Sequence, residues 1–271
     1  MKIFKNKKDL IKEISGKKNI AFVPTMGSIH RGHLSLIKKA KKKTKNVLVS
    51  IFVNPKQFNS NFDFQKYPRN IYRDIDLLKK IKIKYLYLPV FKDIYSFRPK
   101  IIVFLDEFSK ELCGKFRPLH FKGVINVVNR FLEIIKPRWI FLGAKDFQQL
   151  SIIKKHINKN KIKTKIISCT TIREKNGTAL SSRNTKLKKK QLEITGKIYK
   201  YLKRNKKIIL FKHLKKKKRE IIDKIILIGA KKIDYLECLN LKTLKTAKGV
   251  KENYNIFIAY YIDKTRLIDN L

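Results

Sequence analysis

The sequence predicts an α/β fold with a doubly wound, mostly parallel sheet, followed by a smaller C-terminal α+β domain. Short β-branched apolar runs alternate with amphipathic helical stretches through the first two thirds of the 271 residues. Short apolar strands separated by helices are typical of parallel sheets that are buried on both faces. Near residue 175 this alternation stops, and lysine-rich helices and two further strand patterns follow. We therefore predict an α/β domain over residues 1–176 and a small α+β domain over residues 177–271.

The first domain contains five predicted strands and four main predicted helices. The strands are apolar runs that stop at polar residues or proline, over residues 19–23, 47–53, 85–88, 139–142 and 163–168. The helices have apolar residues at three- and four-residue spacing, over residues 34–43, 70–81, 121–135 and 147–157. Because ligands collect at the carboxyl ends of parallel strands, we expect the loops after these strands to carry the chemistry.

The second domain is predicted to begin with a hairpin. Residues 170–173 and 178–180 flank Asn176-Gly177, which is a strong two-residue turn signal. After Asn184 the pattern is helical to about residue 204, and again over residues 218–228 before Gly229. Residues 232–240 and 255–263 are the two predicted strands of this domain.

Composition restricts the functional class. The chain has 67 Lys or Arg and 20 Asp or Glu, a formal net charge of +47, yet 43% of its residues are hydrophobic. This is too apolar for a disordered basic tail, so the charge indicates either a polyanionic partner or solvated helix faces. Charge alone leaves a basic nucleic-acid-binding protein as an alternative, although no RNP-type aromatic pattern or zinc-finger spacing supports it.

Cysteine usage and hydropathy predict a cytoplasmic protein. Cys113, Cys169 and Cys238 are widely spaced and form neither a CxxC pair nor an evident disulfide framework, which favours a reducing compartment. The N-terminal segment lacks the continuous apolar region of a signal peptide. No uncharged apolar run approaches the roughly 18 residues of a membrane span.

The first candidate site is PTMGSIHRGHL, residues 24–34, between a predicted strand and a predicted helix. A helix N-terminus offers unpaired N–H groups and a positive dipole to phosphate, and Gly27 and Gly32 allow the backbone to approach a ligand closely. His30 and His33 are three residues apart and can point the same way. The dipole should lower their pKa values, whereas bound phosphate should favour their protonated forms.

Three other loops have ligand-suited residues. Gln57 follows a strand and offers an amide donor and acceptor, although such a residue is often an ordinary loop residue. In GAKDFQQ, Lys145 can neutralise phosphate charge, Gln149 lies one turn further on, and Asp146 is either a ligand contact or only a helix cap. In LSSRN, two hydroxyls and the Arg183 guanidinium are suited to a triphosphate.

Taken together, these motifs resemble the pantoate–β-alanine ligase (pantothenate synthetase) family of the nucleotidyltransferase superfamily. The resemblance runs from about Ile20 to Asn184 through PTMGSIHRGHLSL, SIFVNPKQFN, DFQKYPRN, LCGKFRPLHFKGV, GAKDFQQL and IREKNGTALSSRN. His-x-Gly-His alone would indicate only the wider superfamily, which includes class I aminoacyl-tRNA synthetases, but 271 residues leave no evident anticodon-binding domain.

The resemblance implies a Rossmann-like first domain and an ATP-dependent ligation in pantothenate biosynthesis, a step of the coenzyme A pathway. Pantoate and ATP would form pantoyl adenylate and pyrophosphate, and β-alanine would then give pantothenate and AMP. Mg²⁺ would be carried on the ATP phosphates, without a predicted protein ligand. The resemblance also implies a homodimer in the cytoplasm, no specific nucleic-acid or membrane partner, and a C-terminal domain that closes over the ATP site.

The resemblance also assigns residues by matching position. His33 would be the proton donor and His30 a phosphate partner. Lys145, which can neutralise developing phosphate charge, is the third predicted catalytic residue. Gln57 would contact pantoate and β-alanine, and Gln149 would contact pantoate. The ATP-binding residues would be Met26, Gly27, Ser28, Ile29, His30, Arg31, Gly32, His33, Gly143, Ala144, Lys145, Asp146, Ile172, Leu180, Ser181, Ser182 and Arg183. Two of these depart from the family pattern, because Arg31 and Ala144 stand where acidic residues are usual.

The remaining candidates are less specific. His120 is expected either near the substrate or in a structural role at a helix start. His156 and His213 lie in lysine-rich amphipathic stretches and are predicted to be surface residues. Tyr67 and Arg69 could either approach pantoate or order the loop over it, and the sequence leaves both alternatives open.

Overall fold

The computed structural model describes residues 1–210, 214–249 and 251–271, and for 210 and 214–217 the backbone only. The chain divides into two compact units, Met1–Thr170 and Thr171–Leu271. Within the residues described, no helix has the length and apolar character needed to span a bilayer.

The first unit is built on a six-stranded, fully parallel sheet. The strands are β1 (Lys2–Phe4), β2 (Ala21–Thr25), β3 (Val47–Ile51), β4 (Tyr85–Tyr87), β5 (Trp139–Gly143) and β6 (Lys165–Cys169). Their order in the sheet is β1-β4-β3-β2-β5-β6, and each neighbouring pair is parallel. The predicted doubly wound, mostly parallel α/β fold is confirmed. The sequence pattern did not reveal β1, which has only three residues.

Helices connect these strands and cover both faces of the sheet. They are α1 (Lys7–Ile14), α2 (Arg31–Lys41), α3 (Asn61–Gln65), α4 (Ile71–Lys80), α5 (Phe91–Tyr95), α6 (Cys113–Phe116), α7 (His120–Ile135) and α8 (Phe147–Lys159). Short 3-10 turns occupy Pro55–Gln57, Glu107–Lys110 and Ala144–Asp146.

The alternating side-chain directions along β2 show how helices cover both faces of the parallel sheet. Val23 packs with Ile37 of α2 and Leu78 of α4 in one cluster of buried side chains. Phe22, its neighbour on the other face, contacts Phe131 of α7 with 5.4 Å between ring centroids. Successive strand residues point to opposite faces, so helices on both faces of the sheet are needed to bury a strand whose apolar residues alternate between them. The loops that hold the candidate site follow the carboxyl ends of β2, β3 and β5.

The second unit has helices and an antiparallel sheet. The helices are α9 (Lys189–Arg204), α10 (Lys206–Leu210) and α11 (Leu214–Ile228), and a 3-10 turn covers Ser182–Lys186. The strands β7 (Lys232–Asn240), β8 (Tyr254–Ile262) and β9 (Thr265–Asn270) pair in that order, all antiparallel. The predicted α+β character is confirmed, and β9 is a third strand that the sequence pattern did not reveal.

The hairpin predicted around Asn176-Gly177 is reduced to a turn with one bridge. Gly177 has a positive φ of 98°, as the turn signal requires, but only Arg173 and Ala179 pair in the described structure. The Asn176 amide donates to the Leu192 carbonyl, and the hydroxyls of Thr178 and Thr195 are 2.6 Å apart. The segment is therefore fixed by side-chain contacts with α9 and not by an extended strand ladder.

Candidate active site

The turn between β2 and α2 presents two histidines at a helix N-terminus. His30 is the N-cap of α2, and its Nδ1 accepts a hydrogen bond from the Gly32 N–H at 3.1 Å. The His30 N–H donates to His33 Nδ1 at 3.4 Å, and the two rings stack with centroids 4.0 Å apart. A neutral imidazole whose Nδ1 accepts must hold its proton on Nε2. Both histidines therefore present an Nε2–H donor.

Both histidines are uncharged at neutral pH. Burial, with a smaller contribution from the positive charge of Lys145, lowers the pKa of His30 to about 4. Burial also lowers the pKa of His33 to about 3, with additional contributions from His30 and Lys145. The low pKa values were expected from the helix dipole, but in the structure burial is their largest cause. Lys145 thus lies close enough to act electrostatically on both rings.

The backbone before His30 is held by a residue that the sequence analysis did not identify. Gly27 and Ser28 have positive φ values of 80° and 51°. The Asp74 carboxylate, on α4, accepts hydrogen bonds from the N–H groups of Ser28 and Ile29, both at 2.7 Å. Asp74 is 1% exposed. A buried Asp on an amphipathic helix was the available signal, because such residues are rarely buried without a partner.

Gln57 lies next to this turn. It is buried, and its Nε2 is 2.9 Å from the Met26 sulfur. Its Oε1 accepts from the Asn54 amide at 3.3 Å. A thioether is a weak acceptor, so the Gln57 amide can be recruited by a stronger acceptor on a substrate. The structure therefore brings together Gln57 and Met26, two of the residues selected from sequence.

His120 contacts the backbone carbonyl of Gln57. It begins α7, and its Nδ1 is 2.7 Å from the Gln57 carbonyl oxygen. Arg117 lies 3.3 Å from His120 Nε2 and donates to the same carbonyl at 3.3 Å. Of the two roles left open by the sequence, these contacts support the structural role at the helix start.

The loop after β5 places Lys145 and Asp146 in a 3-10 turn. The Lys145 side chain is 16% exposed, and its ammonium is 3.4 Å from the Asp146 carboxylate. Asp146 occupies the N-cap position of α8, but its side chain makes no capping hydrogen bond. The structure therefore does not support the interpretation of Asp146 as only a cap. A Cβ built on Gly143 would meet no atom within 4 Å, so space is open beside that backbone.

The two glutamines that begin α8 differ in their surroundings. Gln149 is half-buried. Gln148 is buried, and its amide binds the Cys113 N–H at 3.0 Å and the carbonyls of Phe108 and Glu111 at 2.7 Å. Gln148 is thus a structural residue that holds the 108–113 segment, whereas Gln149, the glutamine selected from the sequence, is only half-buried.

A cavity of about 380 Å³ opens at the carboxyl ends of β2 and β3. It is mainly apolar, and the site residues Met26 and Gly27 contribute to its wall together with Arg69 and Asp74. His30, Gln57 and Lys145 do not belong to that wall. The cavity therefore adjoins the β2–α2 turn on the side of Asp74.

In the second unit, Arg173 anchors the segment that carries the other predicted ATP contacts. Its guanidinium forms two bonds with the Asp269 carboxylate, at 2.6 and 2.8 Å, and stacks over the Tyr199 ring at 4.1 Å. The Leu180 N–H donates to the Ile172 carbonyl at 2.9 Å. Two of the predicted ATP-binding positions are thus adjacent.

Ser181 has a local structural role in that segment. Its hydroxyl accepts from the Arg183 N–H at 3.2 Å and caps the 3-10 turn Ser182–Lys186. Ser182 is buried, whereas Arg183 is half-buried. The Ser181 hydroxyl can still donate its proton to a ligand, because capping uses only an acceptor site.

The surface prediction for His156 is wrong. The side chain is 0% exposed, because Ile152, Ile153 and Ile157 place its side of α8 in the core. Its Nδ1 accepts from the Phe104 N–H, its Nε2 is 3.1 Å from Asn129 Oδ1, and burial lowers its pKa to about 4. His213 lies outside the described residues.

Tyr67 and Arg69 order their own loop. Tyr67 is buried, with its ring edge-on to Phe58 at 5.6 Å. Arg69 donates to the Phe64 carbonyl at 2.6 Å and stacks on the Phe64 ring. These contacts support the loop-ordering alternative for both residues, and Arg69 in addition lines the cavity described above.

The fold and the arrangement of these side chains are those of a nucleotide-binding α/β enzyme. Ligand-suited loops follow the carboxyl ends of parallel strands, a helix N-terminus carries two N–H donors, and a lysine stands nearby. The three cysteine thiols are buried, which removes them as candidate nucleophiles.

Comparison with known proteins identifies the particular family. The family model described as pantoate-beta-alanine ligase matches residues 2–271. The pantothenate synthetase of Fervidobacterium nodosum is 38% identical over 97% of this chain and 95% of its own length. That of Francisella tularensis subsp. novicida is 42% identical over 94% of this chain and 89% of its own length. The chain belongs to the pantoate–β-alanine ligase family.

Solved structures agree with this assignment. The pantoate-beta-alanine ligase from Francisella tularensis, described as complexed with beta-gamma ATP and beta-alanine, is 40% identical with a TM-score of 0.85, and the match covers 100% of this chain and 97% of that one. A Thermus thermophilus pantothenate synthetase is 28% identical with a TM-score of 0.86, covering 100% and 99%. The chain is therefore an ATP-dependent ligase that joins pantoate to β-alanine through an adenylate, forming pantothenate.

Proposed function

We propose that the turn between β2 and α2 is the phosphate-binding element of this ligation and that His30, His33 and Lys145 stabilise the departing pyrophosphate. The observation that carries the proposal is the stacked histidine pair, whose neutral rings hold two Nε2–H donors at a helix N-terminus within the field of Lys145. Donors aimed at developing charge are among the largest contributions to catalysis.

In the first step, a pantoate carboxylate oxygen attacks the α-phosphorus of ATP, and the bond to the bridging oxygen of pyrophosphate breaks. Negative charge moves to the leaving group. His33 donates its Nε2–H hydrogen bond there, and bound phosphate raises the pKa of both histidines toward the protonated forms. No covalent protein nucleophile is required, because alignment and charge stabilisation suffice for phosphoryl chemistry of this kind.

In the second step, the β-alanine amine attacks the acyl carbon of the adenylate, and AMP leaves. We assign Gln57 to both acids and Gln149 to pantoate. The Gln57 Nε2–H group contacts the Met26 sulfur, which is a weak acceptor, so a carboxylate or hydroxyl oxygen of a substrate would bind it more strongly. The Francisella tularensis complex with β-alanine supports a β-alanine site in the family.

The ATP contacts are also part of the proposal. They comprise the backbone and side chains of residues 26–33, the 143–146 turn, the backbone at Ile172 and residues 180–183. We assign the first domain, residues 1–176, to ATP and pantoate, and residues 177–271 to a domain that closes over ATP.

Magnesium enters as the Mg²⁺–ATP substrate. Among the described residues, no group of three or more His, Cys, Asp or Glu side chains could hold a metal ion. Asp146, the carboxylate beside Lys145, is already paired with that lysine. The ATP phosphates would therefore be the main ligands of the ion.

The proposal also includes a homodimer in the cytoplasm. Three free, buried thiols are compatible with a reducing compartment. Because each subunit has a formal charge of +47, dimerisation should strengthen as salt screens repulsion. Sedimentation at low and high salt tests this, and a monomer at both would contradict it.

Substrate omission tests the main proposal. The purified protein is incubated with ATP, Mg²⁺, pantoate and β-alanine, each omitted in turn, while AMP, pyrophosphate and pantothenate are followed. Pyrophosphate–ATP exchange should require pantoate but not β-alanine. Exchange that needs β-alanine would refute the two-step order, and no ATP consumption with both acids present would refute the activity.

A further inference from the structure

We infer that Asp74 is a positioning residue for catalysis, which holds the Gly27–Ser28–Ile29 backbone so that α2 and its two histidines face the nucleotide. The inference rests on the proposed function of the β2–α2 turn. Asp74 lies on α4, 44 residues after His30 in the sequence, and it acts through the backbone of the turn.

The contact is a two-point clamp. Each Asp74 carboxylate oxygen accepts one backbone N–H, Oδ2 from Ser28 and Oδ1 from Ile29, and both distances are 2.7 Å. The three residues are all buried, with exposures of 1%, 6% and 0%. Hydrogen bonds to an ionised carboxylate are stronger than neutral ones, and buried N–H groups that lose their partner are strongly unfavourable.

The conformation of the turn needs this support. Ser28 has a φ of 51°, in the left-handed region that is unfavourable for a residue with a side chain. A Cβ built on Gly27 would lie 3.1 Å from both Asp74 Oδ2 and the Ile51 side chain, so the carboxylate also packs against the turn. The clamp thus offsets the strain two residues before His30.

Two backbone N–H groups each need an acceptor oxygen, and only the ionised carboxylate of Asp74 offers two equivalent ones. Burial raises the pKa of Asp74, whereas the two backbone N–H groups and Arg73 act in the opposite direction. An asparagine has the same shape but only one acceptor oxygen, and its NH₂ group would face the second N–H. Asp74→Asn therefore removes half of the clamp with almost no change in volume.

The test compares Asp74→Asn with Asp76→Asn. Asp76 is exposed on the same helix, so the control removes the same charge without touching the turn. In Asp74→Asn, we expect hydrogen exchange at the Ser28 and Ile29 amides to accelerate at least tenfold, and kcat of pantoate-dependent pyrophosphate exchange, corrected for folded protein, to fall at least tenfold. KM for β-alanine should change less than threefold. Asp76→Asn should match the unmodified protein in all three.

Unchanged exchange at both amides in folded Asp74→Asn would overturn the inference, as would faster exchange with an unchanged kcat. If Asp74→Asn does not fold, amide hydrogen exchange is measured in the unmodified protein instead. Rapid exchange at the Ser28 and Ile29 amides would overturn the inference, and strong protection of both amides would support it. Amide exchange needs no catalysis. A failure of the proposed function, seen as no pantoate-dependent exchange in the unmodified protein, is therefore distinguishable from a failure of this inference.

Discussion

Replacement of His30 by asparagine separates its catalytic role from its structural one. In the structure, His30 Nδ1 caps α2 by accepting from the Gly32 N–H, while Nε2–H is the proposed phosphate donor. Asparagine is among the best N-cap residues, and its Oδ1 can accept the same hydrogen bond. It lacks a donor at the position of Nε2. His30→Asn should therefore retain the helix cap and lose the catalytic contact.

The magnitudes follow from these two interactions. Loss of one transition-state donor lowers the rate by about 100- to 1,000-fold, so His30→Asn should slow pyrophosphate exchange by that factor. Loss of an N-cap lowers stability by about 1 kcal/mol. His30→Ala should match His30→Asn in activity but be about 1 kcal/mol less stable at pH 7.5 by urea denaturation.

The acid dependence of stability gives a second measurement. The pKa of His30 is lowered from 6.5 to about 4 in the folded protein, so the unfolded chain binds more protons between these values. This contribution to stability is complete above pH 6.5 and is lost as pH falls toward 4. At 1.36 kcal/mol per pKa unit it amounts to about 3 kcal/mol. His30→Asn and His30→Ala should both lack this pH-dependent contribution, so their free energy of unfolding should fall less steeply as the pH is lowered.

Three results would refute this reasoning. Near-normal exchange by His30→Asn would remove His30 from the phosphate site. Equal stability of the asparagine and alanine variants would show that the cap contributes nothing. An unchanged acid profile would show that His30 is not the buried neutral group described above.

Two further predictions concern charged side chains. Lys145→Met should raise the pKa values of His30 and His33 but leave them below 6.5, because both rings stay buried, and it should slow adenylate formation about 100-fold. NMR titration of the two rings measures the pKa values, pyrophosphate exchange measures adenylate formation, and unchanged pKa values would contradict the prediction. Asp269→Ala should leave the Arg173 guanidinium without its carboxylate and destabilise the second unit by about 3–5 kcal/mol in denaturant unfolding, so a loss below about 1 kcal/mol would count against the ion pair.

The accuracy of the sequence-based prediction depended on how local each signal was. β3, β5 and α7 were recognisable because each is a continuous or periodic apolar segment, and thirteen of the sixteen residues of α7 are buried. β1 was missed because three residues carry no periodicity and its partner β4 begins more than 80 residues later. His156 was misplaced because lysines on both sides suggested a surface, although isoleucines decide which face of α8 is buried.

The sequence by itself determined the family, the parallel sheet and the grouping of His30, His33 and Lys145, because loops after parallel strands meet at one sheet edge. Only the tertiary structure decided how those groups behave. The histidines are neutral because surrounding atoms exclude water, and the turn before them keeps its shape because a carboxylate from α4 reaches two of its amides. Desolvation and contacts between distant segments depend on packing in three dimensions, which local sequence patterns do not encode.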